Sequence, residues 1–146
     1  MNKLGTIGKI LQIKEWREEE IEVEVRKLRD AVSAHESRIG SLESAYLDTL
    51  DSFNRKQGDG SLRPNEMGIY YSYFYHLQKE MDAMKADLAR ILAALDIRQN
   101  DLVEAHKETR VVETLKDRRT RERAKEESQR ERKEMDFLSS TKRRDR

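Results

Sequence analysis

MGIYYSYFYHLQKEMDAMKADLARILAALDIRQNDLVEAHKETRVV, residues 67–112, keeps a three-four spacing without a slip for more than six heptads. Met67, Tyr70, Phe74, Leu77, Met81, Met84, Leu88, Ile91, Leu95, Arg98, Leu102, Ala105, Thr109 and Val112 fall alternately at the a and d positions of a heptad. All but Arg98, Ala105 and Thr109 are large apolar or aromatic residues. One helix cannot hide a stripe of that length from water, so a second helix with its own stripe must cover it.

The first third of the chain supplies that stripe. Leu4, Ile7, Leu11, Lys14, Glu18, Ile21, Val25, Leu28, Val32, His35, Ile39, Leu42, Tyr46, Thr49 and Phe53 repeat the spacing, and eleven of the fifteen are apolar. Lys14 and Glu18 interrupt the seam one turn apart and are placed to pair with each other. Gly40 lies outside the seam and costs about 1 kcal/mol relative to alanine, which packing must outweigh. Between the stripes, residues 54–65 hold Gly58, Asp59, Gly60, Ser61 and the single proline, Pro64, the densest group of helix breakers in the chain. Pro64 suits a first helical position, with Ser61 or Asn65 as the expected cap.

A turn there zips the stripes antiparallel, with Phe53 beside Tyr70. The expected fold is all-α: a long antiparallel two-helix coiled-coil hairpin, one domain over 1–146. Helix 1 is expected at about 4–54, the turn at about 55–64, helix 2 at about 65–138 and a basic tail at 139–146. At 1.5 Å per residue the helices would span about 75 Å and about 110 Å, so the second overhangs the first. Over 116–134 the apolar seam ends, and fifteen of nineteen residues are charged. Pairs such as Asp117 with Arg121 and Glu126 with Arg130 suit a solvated helix there.

Composition agrees with long exposed helices: 146 residues, 40% charged, 36% hydrophobic, no cysteine. Thirty basic residues against 29 acidic ones leave no net field to attract a polyanion along the whole chain. The missing cysteines exclude disulfides and thiolate chemistry. The longest apolar run, Ile91 to Leu95, is too short to cross a bilayer, and residues 1–14 lack a signal-like apolar block. The expectation is a soluble intracellular monomer.

Chemistry needs convergent groups in a water-excluding pocket, and a two-helix hairpin offers none, so no catalytic, cofactor or metal residue is assigned. His35, His76 and His106 are scattered, and His35 is expected to pack in the seam. Residues 58–61, Gly-Asp-Gly-Ser, lack the Gly-Lys-Ser/Thr of a phosphate loop and the acidic spacing of a calcium loop. Two surfaces stand out instead. Residues 116–146 carry thirteen basic and eight acidic residues, net +5, while the remainder sums to −4. Seven of nine aromatics lie between Tyr46 and Tyr75. Of these Tyr46, Phe53, Tyr70 and Phe74 are on the seam, whereas Tyr71 and Tyr75 share an off-seam face of the kind enriched at interfaces. Ile13, Trp16 and Val23 form a smaller off-seam stripe. A nucleic-acid or membrane-surface adaptor acting through Lys142, Arg143, Arg144 and Arg146 is the weaker reading, because acids are interleaved and stacking aromatics are missing.

With these pieces placed, the chain resembles the flagellar export protein FliJ family. The resemblance rests on the two-helix plan and on Gln99, Leu102, Ala105, Lys107 and Glu108, then Val112-Glu113-Thr114-Leu115-Lys116. A charged run follows, closing in Lys133-Glu134-Met135-Asp136. Ile10-Leu11 followed by residues 14–20 is similar to the family's Leu-rich start. The related secretion stalk YscO is the neighbouring family. The resemblance implies a non-catalytic stalk of the flagellar type III export apparatus, similar to the central stalk of rotary ATPases. The implied partners are a hexameric export ATPase, the membrane export gate and export chaperones, at the cytoplasmic side of the inner membrane, with no nucleic acid and no insertion into the bilayer. On that plan Ile13, Trp16, Leu115, Arg118, Arg119 and Arg123 meet the ATPase, and Tyr46, Phe53, Tyr71 and Tyr75 meet the gate.

Overall fold

A computed structural model describes residues 3–144, which form two helices, α1 (Lys3–Gly58) and α2 (Pro64–Arg144). They pack against each other along the predicted seam. All fifteen seam positions of α1 are buried or half-buried, and of the α2 positions only Arg98 is exposed. The chain divides into two units, Glu22–Asn100 and the paired terminal segments Met1–Ile21 with Asp101–Arg146.

In the unit Glu22–Asn100 the core is built on Leu42, Leu77 and Met81, with Ala45, Tyr46 and Met84 packed against them. Val25, Ile39 and Phe53 are buried along the same line. Near the turn Phe53 meets Tyr70 edge-on at 5.3 Å between ring centroids, as the pairing expected from the sequence requires, and also meets Phe74 at 6.0 Å. The seam is flanked by ion pairs. Arg38 reaches Glu80, both at g, and Lys85 reaches Glu43, both at e, at 3.9 Å. Matching g with g and e with e is what antiparallel packing produces, since reversing one helix places like flanks side by side.

The turn is shorter than the breaker cluster suggested, because α1 continues to Gly58. Its end is a Schellman motif. Ser61 N–H donates to the Lys56 carbonyl at 3.1 Å and Gly60 N–H to the Gln57 carbonyl at 3.3 Å. Gly60 has φ +68°, the left-handed conformation that position needs. Pro64 opens α2 as expected, but neither Ser61 nor Asn65 caps it. The Arg63 carbonyl takes the Glu66 and Met67 N–H groups, while the Ser61 hydroxyl turns back toward the Lys56 carbonyl. Glu66 adds a carboxylate to the first turn, where the helix dipole favours it, and lies 3.6 Å from Lys56 across the turn.

In the terminal unit Leu11, Ile21, Ala105 and Thr109 are buried. Lys14 and Glu18 do not pair with each other. Lys14 reaches Glu108 at 2.9 Å and Glu18 reaches His106 at 2.7 Å, each on the facing helix. Pairing across the seam lets each polar side chain keep a hydrogen-bond partner while its stem covers the core. Thr109, 4% exposed, satisfies its hydroxyl on the Ala105 carbonyl at 3.0 Å.

α2 also outlasts its expected end near Ser139, running helical through residues 139–144. No glycine or proline interrupts it there, and Thr141 bonds back to the Phe137 carbonyl. The intrahelical pairs that form are Arg118 with Glu122 and Arg123 with Glu127, at 3.9 and 3.8 Å, rather than Asp117 with Arg121 or Glu126 with Arg130. Of the four terminal bases considered for a polyanion surface, Lys142 and Arg143 are exposed. The Arg144 side chain and Arg146 lie outside the described residues.

Candidate partner-binding surfaces

Among the described residues no group of acids and histidines could hold a metal ion, and no helix is long and apolar enough to cross a membrane. His35 is half-buried in the seam, with Nδ1 2.9 Å from the Ala31 carbonyl. Grooves such as that between Asn65 and His76, or between Thr114 and Lys125, are lined by one face of one helix and enclose nothing. What the fold offers is surface.

The turn end divides into core and surface. Phe53 is only 8% exposed and is ringed by Tyr70, Tyr71 and Phe74, and Tyr46 is half-buried at 5.1 Å from the Phe74 ring. Placing Phe53 on a partner surface is therefore corrected: its ring is interior, because Tyr70, Tyr71 and Phe74 of the other helix enclose it. Tyr71 and Tyr75 are 57% and 63% exposed. Tyr71 leans on Phe53 at 5.9 Å, and Tyr75 carries the Lys79 ammonium 4.8 Å over its ring. Leu47, at a b position of α1, is equally exposed. The other flank of α2 bears Ile69 and Tyr73. None of these three lies on the a/d spacing. A heptad wheel for each helix finds them: Leu47 at b sits on the flank of Tyr71 at e and Tyr75 at b, and Ile69 at c and Tyr73 at g form the opposite flank of α2.

At the terminal unit Ile13 and Trp16 are exposed as expected, and so is Leu115. Ile10 and Val111 are among the other apolar side chains exposed in the same unit. Ile10 and Leu115 both occupy g positions, Ile13 and Val111 both occupy c, so the four share one flank built from two helices. Arg118, Arg119 and Arg123 are exposed, and from Asp117 to Arg143 every side chain is exposed. The Lys14 ammonium, by hydrogen bond and then by charge, holds the Glu108 carboxyl below the usual range, with Arg17 adding to it.

Two helices zipped along one seam, with chemistry confined to their outer faces, define a coiled-coil hairpin protein. The chain belongs to the flagellar FliJ protein family, whose model matches residues 3–144. That membership makes it a flagellar type III export-related protein. Comparison with curated proteins and with solved structures gives no match.

Proposed function

We propose that this chain is a non-catalytic stalk that couples a hexameric export ATPase to the membrane export gate, working as a monomer and a single coiled-coil domain peripheral to the inner membrane, with export chaperones as further clients. The observation that carries the reading is the run 116–134. There α2 stays helical although every side chain from Asp117 on is exposed, so the segment is maintained without a core to serve. Such a helix contributes little to folding and is suited to entering a charged opening in another protein. The Ile10, Ile13, Val111 and Leu115 flank lies in the same unit and supplies an apolar contact beside it. Tyr71, Tyr75 and Leu47 at the turn would meet the gate.

The test is a chain ending after Leu115, compared with the full one for binding to the purified export ATPase and for stimulation of its ATP hydrolysis. Melting within a few degrees of the full chain with stimulation lost supports the stalk. Undiminished stimulation refutes it. Light scattering checks the monomer, and a dimer at all concentrations would favour a self-associating coiled coil instead.

A further inference from the structure

Beyond Val112 the register of α2 continues while its chemistry inverts. The next a and d positions are Lys116, Arg119, Arg123, Glu126, Arg130 and Lys133, five of six basic. The flanking e and g positions from Glu113 to Asp136 are Glu113, Leu115, Thr120, Glu122, Glu127, Gln129, Glu134 and Asp136, with no base among them. Where the apolar seam loses its partner helix, a basic lane bordered by acidic lanes takes its place. Lys116 is half-buried, and the remaining lane residues are exposed. At 1.5 Å per residue the lane is about 26 Å long, matching about five turns of a facing helix.

We infer that the a/d face of α2 between Lys116 and Lys133 is a docking seam for an acidic helix of a partner protein, with carboxylates at its own seam and bases on its flanks. The choice of occupant follows from charge complementarity. A second copy would lay bases on bases, so the segment cannot pair with itself favourably. A uniform polyanion would gain the centre and lose at both edges, where the acids stand. A helix with the reversed three-lane pattern gains at all three. The inference rests on the stalk reading, since it says how the charged segment is held once inside a partner. It also sorts the bases assigned to the ATPase: Arg119 and Arg123 are in the lane, Arg123 lying 3.8 Å from the flanking Glu127, whereas Arg118 is at an outer c position, paired to Glu122 at 3.9 Å.

The experiment titrates the full chain with two labelled alanine-based peptides of about 28 residues, long enough to hold a helix. The first carries Glu at every a and d and Lys at every e and g; the second has the same composition with the two sets exchanged. At about 50 mM salt, where screening is modest, the chain should bind the first about tenfold more tightly. Arg119→Gln/Arg123→Gln/Arg130→Gln should abolish that preference. Arg121→Gln/Lys125→Gln/Arg132→Gln removes the same charge from the outer face and should keep it within about twofold. Glutamine preserves helix propensity, and circular dichroism verifies this for both variants. Equal binding of the two peptides by the unaltered chain overturns the inference, as does no binding of either. Equal loss in the two triple variants also overturns it, as does heparin binding that both weaken alike, since either would mean attraction by bulk charge. If the export ATPase ignores the chain while the peptide preference holds, the stalk reading falls and the docking seam stands.

Discussion

Replacing Phe53 by alanine separates interior from surface at the turn end. The ring is 8% exposed and touches three other rings, at 5.3, 5.9 and 6.0 Å. Truncating a buried phenylalanine costs about 3 to 5 kcal/mol, the transfer of the ring plus the cavity left behind. Edge-on aromatic pairs add about 0.5 to 1.5 kcal/mol each, so the upper half of that range applies. For a chain of this length, about 2 to 4 °C is lost per kcal/mol, which gives a melting temperature lower by about 8 to 20 °C. Tyr75→Ala, which removes an exposed ring and one cation–π contact, should cost no more than about 1 kcal/mol. Thermal unfolding followed at 222 nm and urea midpoints measure both, and amide exchange should accelerate around residues 46–77 in Phe53→Ala. If Phe53→Ala melts within about 1 kcal/mol of the unaltered chain, Phe53 is not a core residue and belongs with the partner-facing surface.

Replacing Tyr71 and Tyr75 together should cost about 1 kcal/mol of stability, nearly all of it from the Tyr71 contact with Phe53, and weaken gate binding by tens of fold; unchanged gate binding would make both rings flank packing. Gly40→Ala should raise the urea midpoint by the equivalent of about 1 kcal/mol, since nothing lies within 4 Å of the added methyl group; a lower midpoint would mean that the glycine serves a purpose the fold does not reveal. Because Lys14 lowers the folded pKa of Glu108, the pair stabilises fully above the usual carboxylate pKa of about 4.3 and loses that contribution as pH falls through the lowered value. Following the Glu108 carboxyl carbon by NMR should show an acid-shifted titration that Lys14→Ala moves most of the way back toward the ordinary range, Arg17 keeping a small part of the shift, and an identical titration in both chains would show that the contact is absent in solution.

The seam was legible almost residue by residue. A three-four repeat needs only the geometry of one helix and the cost of wet apolar surface, and both are local. Arg98 shows where the pattern yields: a guanidinium at d leaves the core and takes Glu24, 2.8 Å away. The candidate surfaces were read less completely. Ile13, Trp16, Tyr71 and Tyr75 stand out in the sequence as off-seam residues and Leu115 through the family resemblance, but Ile10, Val111 and Leu47 do not. Membership of a patch depends on what the neighbouring helix sets beside each residue. Phe53 was read both as seam and as surface, and packing allows only the first.

The sequence by itself determined that there are two helices, that they bury one stripe each, and that they reverse direction within residues 55–64. Apolar periodicity, a left-handed glycine and a proline act within a few residues of chain. Only the tertiary structure decided that Lys14 takes Glu108 and Glu18 takes His106 instead of each other, that Tyr71 rests on Phe53, and that Ile10 and Leu115 share a flank. Those choices depend on the stagger of α1 against α2, which the length and hand of the turn establish. A shift of one heptad would still set apolar stripe against apolar stripe over the overlap, while giving the charges that pair across the seam different partners.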